Sequence, residues 1–399
     1  MKRSVFFVFL TVILFACRRE QVVDYPVLSV DITRLNTPSV FDIFEKIEII
    51  PLETTDNSLL GNIFGIVFYN SHYYITDMKG ESLFCFDEHG KFVQKIGKVG
   101  QGPGEYTTVP SFAINGYNDV VEALSPWGFL YIYDLSGRLG SKTSLPMLVP
   151  NYQTSLIQDD SIRVFNYQIS LILNDSIRIL KSSVENEEDQ LYVYSINSNT
   201  VVNSFYKENP VLDGFAVKEF YRYNNSIYYS KALISSVFKI DQYGYKIAYA
   251  WDFGKFNPER IKFDKDITNE RLSEMFKSSQ IKGVYYTKYQ NDNYYYTAFV
   301  GHDRDLASQD PKDSEILTSV HVLYDKRDNK TYVFNKFKEY LYFAPLYWCN
   351  EYVLGASFIF YYKDIPEFID SQVFDEENRN KLKAIKEDDN PFLIKYYFK

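Results

Sequence analysis

Hydrophobic and polar residues alternate in short runs along most of the chain, and acidic or glycine-bearing turns separate the runs. The clearest case is Leu83-Phe84-Cys85-Phe86-Asp87-Glu88-His89-Gly90-Lys91-Phe92-Val93: an aromatic strand, a tight turn and a second strand. A period of two places alternate side chains on opposite faces of a pleated strand. Aspartate at the turn entrance accepts backbone N–H groups two residues on, and glycine takes the left-handed position of the hairpin. The unit recurs at 130–139 and 237–247, and with asparagine in place of glycine at 191–201 and 322–332. The turn residues Asp87, Asp134, Ser195, Asp241 and Asp325 fall at intervals of 47, 61, 46 and 84. Spacing of this order, with one hairpin per period, is that of propeller blades. Phe41 to Lys399 leaves room for six blades of roughly 60 residues each. The expected fold class is therefore all-β, a six-bladed β-propeller.

Two stretches break the alternation. Between 258 and 279, Leu272, Met275 and Phe276 stand at helical spacing, which predicts a short helical insertion near 259–279 and explains the long last interval. Residues 375–386 are strongly charged, with Glu377 and Lys381 one helical turn apart, and predict a C-terminal helix. After Asn390-Pro391, the run Phe392 to Phe398 reads as a last strand, apolar enough to need a partner. Lys46-Ile47-Glu48-Ile49-Ile50 has the same character at the other end. The two are expected in one blade, closing the ring.

The amino terminus has a different logic. Lys2 and Arg3 precede an apolar run from Val5 to Ala16, broken only by Thr11. Twelve helical residues rise about 18 Å, too short for a hydrocarbon core of roughly 30 Å, so the run reads as an export signal. Leu14-Phe15-Ala16-Cys17 resembles the lipobox of bacterial lipoproteins, with Phe15 bulkier than usual, which implies acylation at Cys17. The expected organisation is a signal peptide at 1–16, a tether at 17–36 and a propeller at 37–399. The basic pair Arg18-Arg19 then favours, by resemblance to such lipoproteins, the periplasmic face of the outer membrane over the cell surface.

Composition narrows the partners. Aromatics make up 18% of the residues, with 36 Tyr and 32 Phe, which suits half-buried strands. The formal charge of −9 becomes −11 once Lys2 and Arg3 leave with the signal, and a surface of that sign repels nucleic acid. The partners expected are a membrane, through the lipid anchor, and a protein or carbohydrate. Cys85 and Cys349 sit in apolar strands without a spacing signature and read as buried, unpaired thiols.

The segment Ile96-Gly97-Lys98-Val99-Gly100-Gln101-Gly102-Pro103-Gly104-Glu105-Tyr106 stands apart. It is not a P-loop, since Pro103 stands where the lysine is needed, and no helical pattern follows for a dinucleotide fingerprint. It predicts a tight excursion between strands in which Glu105 accepts N–H groups left unpaired by the loop. Its glycines are expected at positive φ. The Gly100–Tyr106 loop, with Pro51-Leu52-Glu53-Thr54, the Phe86–Phe92 hairpin and Asn390-Pro391, resembles the six-bladed β-propeller lipoproteins, related to NHL-repeat propellers, of gut-type Gram-negative bacteria. The resemblance is strongest over 44–135 and implies the fold and the lipid anchor; the family's molecular role is uncharacterised.

No catalytic constellation is legible. His72, His89, His302 and His321 lack ligand spacing, and no strained serine elbow occurs. The acidic clusters Gly301–Asp305 and Glu185–Asp189 read as solvated loops rather than calcium sites. No metal or cofactor is expected. Trp251, Trp348 and most of the tyrosines in the runs 285–286 and 294–296 are expected in inter-blade packing, because neighbours on a strand point to opposite faces. Trp127, in Ser125-Pro126-Trp127-Gly128, is the candidate for ligand stacking. The expected role is a binding or scaffolding module; the alternative is a propeller-type lyase or glycoside hydrolase acting on polysaccharide.

Overall fold

The computed structural model describes residues 24–61, 63–77, 82–102, 104–107, 111–125, 128–146, 169–181, 190–206, 219–260, 267–278, 280–301, 319–339, 341, 343–356 and 374–399. These residues form six sheets, each an antiparallel meander of four strands, and the fold is a six-bladed β-propeller. The first blade comprises Ile63–Tyr69, His72–Asp77, Leu83–Asp87 and Phe92–Ile96; the second Ser111–Asn115, Val120–Leu124, Phe129–Asp134 and Leu139–Ser144. The third comprises Ile169–Ile172, Ile177–Lys181, Leu191–Ser195 and Thr200–Phe205; the fourth Phe220–Tyr223, Ser226–Tyr229, Ser236–Asp241 and Gly244–Asp252. The fifth holds Gly283–Gln290, Tyr294–Gly301, Ser319–Asp325 and Thr331–Phe334. The sixth is made from both ends of the chain, Pro345–Trp348, Tyr352–Ala356 and Phe392–Phe398 being completed by Phe44–Pro51. First strands touch between the first and second, second and third, fourth and fifth, and sixth and first blades, which sets them around the axis.

All five hairpin units are third-to-fourth-strand turns. Asp87 Oδ1 accepts from the N–H groups of His89 and Lys91, both at 2.9 Å, and Gly90 follows at φ 82°. Asp134 and Gly137 repeat this arrangement, and Asn199 and Asn329 hold φ of 53° and 58° where glycine is absent. The sixth blade has no such turn because its fourth strand, Phe44–Pro51, comes from the opposite part of the chain. Its third and fourth strands meet across the termini, with Ile47 opposite Tyr396, Ile49 opposite Ile394 and Pro51 opposite Phe392. The predicted closure is thus the observed one.

The hairpins of the first two blades also reach the preceding blade. A β-carbon on Gly90 would collide with the Pro51 carbonyl oxygen, and one on Gly137 would lie 2.8 Å from that of Lys95. Sheet twist brings the end of each outermost strand round to its neighbour, so these turns double as seams. Only glycine permits both the positive φ and the approach.

The amino-terminal segment departs from the expected tether over 17–36. Val27–Ser29 pairs in parallel with Ala250–Asp252, adding a fifth strand to the outer edge of the fourth blade. Leu28 and Ile32 are buried, and their apolar side chains hold the segment down. Asn36 then pairs with Val333 of the fifth blade through its N–H at 2.7 Å and its side-chain oxygen at 3.1 Å. Ser39 and the Val40 N–H both bind the Glu339 carboxylate before the chain enters the sixth blade. The propeller body therefore begins before residue 37, as a strap over three blades.

The expected helices are α1, Asn269–Lys277, and α2, Glu376–Ala384. α1 buries Leu272 and Met275 against Ala232, Leu233, Ile281 and Val284. α2 is capped by Asp375, carries the Glu377–Lys381 pair at 2.9 Å, and turns Asn378 onto the outer edge of Phe44–Pro51. The Asn378 amide accepts from the Ile49 N–H at 2.8 Å and donates to the Ile47 carbonyl at 3.2 Å, closing an edge that would otherwise invite pairing.

Aromatic side chains fill the seams. Tyr289 stacks on Trp348 with centroids 5.6 Å apart, and Tyr296 joins them at 5.1 Å. His321 lies in this cluster against Phe334 and Phe343, its Nδ1 2.9 Å from the Tyr296 hydroxyl; burial draws its pKa down to about 4 and keeps the ring neutral. Trp251 is buried too, and within the tyrosine runs Tyr285 is buried while Tyr286 points out.

Candidate functional site

The glycine loop wedges the seam between the first two blades. Tyr106 is buried; its hydroxyl donates to the Ile96 carbonyl at 2.8 Å and accepts from the Leu83 N–H at 3.3 Å. Its ring meets Tyr131 and Tyr133 edge-on, and burial pushes its pKa up to about 12. Glu105 accepts from the Gly102 N–H at 2.9 Å, as expected, and pairs with Lys98 at 2.9 Å. The Lys98 ammonium and the Gly102 N–H together hold the Glu105 carboxyl below the usual range.

The expectation of positive φ holds for Gly104, at 82°, and for Gly97, at 69°, but not for Gly100 or Gly102. Those two are small for another reason: a β-carbon on either would strike the Glu105 carboxylate, the contact at Gly102 being 3.0 Å. Pro103 lies outside the described residues. Gly104→Val should cost roughly 1 kcal/mol or more through its left-handed backbone. Gly102→Val should lower the melting temperature by expelling Glu105, and Glu105→Ala in the same background should recover part of that loss. Thermal denaturation of the three variants measures both effects. An unchanged melting temperature with lost ligand binding would make the loop a contact surface instead.

Charged residues that carry no sequence motif stitch other seams. Arg178 and Glu122 are each 1% exposed, and they form a bidentate pair between the second and third blades at 2.5 and 2.6 Å. Asn115 donates to the same Glu122 at 2.9 Å. Glu219 receives Lys181 at 2.7 Å and Lys231 at 2.8 Å between the third and fourth blades. Lys288 of the fifth blade donates to the carbonyls of Lys231 and Ile234 at 2.9 and 3.0 Å and lies 4.2 Å over the Tyr285 ring. Burial draws its pKa down to about 7; a neutral amine still donates both bonds, so Lys288 clips the two blades in either protonation state.

The two ends of the sheets differ sharply. First-to-second and third-to-fourth connections are tight turns, none longer than 326–330. The second-to-third and blade-to-blade connections gather at the opposite ends and include 145–168, 253–282, 302–318 and 357–391. Near that long-connection end, bulges interrupt the first strands of the fifth and first blades and turn out Tyr286 (54% exposed) and Phe64 (63% exposed).

Other sequence candidates are scattered. His72 and His89 lie in the first blade and His321 in the fifth, so the described histidines do not converge. Cys85 and Cys349 are unpaired thiols whose pKa values burial raises to about 11 and about 12. Among the described residues, no group of three or more His, Cys, Asp and Glu side chains is placed to hold a metal ion. Cys17, Trp127, Glu185–Asp189 and His302–Asp305 lie outside the described residues.

The chain is similar in fold to a protein of Bacteroides fragilis NCTC 9343 that is named as an exported protein. The TM-score is 0.69 at 16% identity, over 94% of this chain and 99% of that one. A member of the DUF4221 family from Bacteroides vulgatus ATCC 8482 aligns at TM-score 0.49 and 14% identity, over 89% and 97% of the respective chains. No curated protein matches in sequence. The sequence matches a family described as a domain of unknown function, DUF4934, over residues 26–397, a span that takes in the strap, all six blades and the closing strand. The chain belongs to that family.

Proposed function

We propose that the protein is a lipid-anchored binding or scaffolding module of the outer membrane, facing the periplasm and acylated at Cys17, with its ligand held at the long-connection end of the ring. The observation that carries this reading is the asymmetry of the connections. One end is a set of tight turns, while the long connections leave and enter the strands at the other, near which Phe64 and Tyr286 are exposed. Exposed aromatics on rigid strands suit stacking against sugar faces or protein anchors. The lipobox-like Leu14–Cys17 supports the anchor, and a fold neighbour named as exported is consistent with it.

Three experiments test the reading. Cys17→Ser should release the protein from the membrane fraction or leave it unprocessed; unchanged partition into the detergent phase would remove the anchor from the account. Protease added to intact cells should leave the wild-type chain untouched, and its degradation would place it on the cell surface. On a glycan array, full-length protein should retain an oligosaccharide that the Phe64→Ser/Tyr286→Ser variant loses. Release of cleavage products from a polysaccharide would replace the binding role with an enzymatic one.

A further inference from the structure

The tight-turn end of the ring is stitched seam by seam. Tyr69 donates to Asp119 between the first and second blades at 2.5 Å, and Glu122 and Arg178 join the second and third. Tyr223 donates to Asp292 between the fourth and fifth blades at 2.8 Å, and Asn350 donates to Asp292 between the sixth and fifth at 2.8 Å. Lys395 of the sixth blade lies 4.1 Å over Tyr352 and 5.4 Å over Phe68 of the first. At the seam between the third and fourth blades stands Arg222, and among the described residues it has no such partner.

Its direction follows from strand parity. Tyr221 and Tyr223 point toward the fifth blade, where they meet Tyr289 and Asp292. Phe220 and Ile227, the cross-strand partner of Arg222, pack with Ile179 and Val193 of the third blade. Arg222 shares that face, on the axial strand and two residues before the turn, and it is exposed. On an axial strand this exposure opens toward the central channel.

The titratable groups close enough to act on its guanidinium, among the described residues, are Tyr117 of the second blade and Arg178 of the third. Arg178 is fully used: Nε and Nη2 bind Glu122, and Nη1 binds the Asn174 and Ile177 carbonyls. Tyr117 is largely exposed, and its N–H is fixed by the Asn115 side chain at 3.0 Å. Among the described residues the site therefore presents a guanidinium without an acid partner, with the Tyr117 phenol near enough to act on it electrostatically.

We propose that Arg222, with Tyr117, forms a binding site for a carboxylate-bearing ligand at the tight-turn mouth of the channel. A guanidinium offers a planar pair of donors that matches a carboxylate bidentately. One free positive charge matches a monoanion; a phosphate dianion calls for a second free cation, and Glu122 has neutralised Arg178. The site lies at the opposite end from the long connections and stands independently of the ligand proposed there.

Calorimetric titration of the full-length protein in detergent tests it, with glucuronate, glucose, inorganic phosphate, and a trialanine peptide with a free or amidated terminus as probes. Glucuronate or the free-acid peptide should bind saturably, and glucose and the amidated peptide should not. Which of the two carboxylates binds tells a saccharide source from a peptide one. Arg222→Gln should weaken binding at least tenfold, and Arg222→Lys, which keeps the charge and loses the fork, should fall between. Phosphate binding more tightly than either carboxylate would overturn the ligand class. Absence of binding by both carboxylates, or binding undiminished in Arg222→Gln, would overturn the site.

Discussion

A chain ending at Asp389 should be insoluble or rapidly proteolysed. The missing strand, Phe392–Phe398, is interior to its sheet, lying between Tyr352–Ala356 and Phe44–Pro51. Phe392, Leu393, Tyr396 and Phe398 are buried, and burial of each such side chain is worth about 1.5–3 kcal/mol. Their sum rivals the whole stability of a typical domain, about 5–15 kcal/mol. The deletion also takes Asn390, whose amide accepts from the Leu60 N–H and donates to the Glu53 and Ser58 carbonyls, each at 2.8 Å. Limited proteolysis and a thermal melt are the measurements. A cooperative transition near the full-length temperature would refute closure as the source of stability.

Arg178→Met should cost about 3–5 kcal/mol, because it leaves the Glu122 carboxylate buried with Asn115 as its remaining side-chain partner among the described residues. Glu122→Leu combined with Arg178→Met should recover most of that loss, since no charge is then buried alone and both replacements are apolar. Urea midpoints of the single and double variants give the comparison. A single variant as stable as the wild type would mean that water reaches the seam.

The contrast between these two features shows what the sequence discloses. Closure was legible because Ile47, Ile49, Phe392, Tyr396 and Phe398 alternate strongly at both ends and have no local partner. The five turns were legible because Asp, Ser, Gly and Asn act on their own backbone within a few residues. The Glu122–Arg178 pair spans 56 positions and has no local signature, and each residue alone reads as an outward-facing charge. Arg222 was equally hidden, because its significance is that no described acid faces it across a seam formed by distant residues. The strap was missed for a different reason. Val27–Ser29 is three residues long, too short for alternation to register, and its parallel partner lies 223 positions away. Gly100 and Gly102 were recognised as special with the wrong cause, since the space they leave is claimed by Glu105 and not by their own backbone.

Closure by the last strand has a consequence in time. Glu48 meets the Tyr397 hydroxyl across 349 positions. A ribosome adding about 5–20 residues per second needs on the order of 17–70 s to make that length of chain. During that interval Phe44–Pro51 has no strand beside it. Its outward positions carry Glu45, Lys46 and Glu48, charges of the kind that keep an unpaired strand from recruiting a neighbour. In the finished ring the same three residues sit at the perimeter, and Glu48 becomes the acceptor for Tyr397 at 2.6 Å. The strand that waits longest thus carries its own protection against wrong pairing, and part of that protection is converted into the latch.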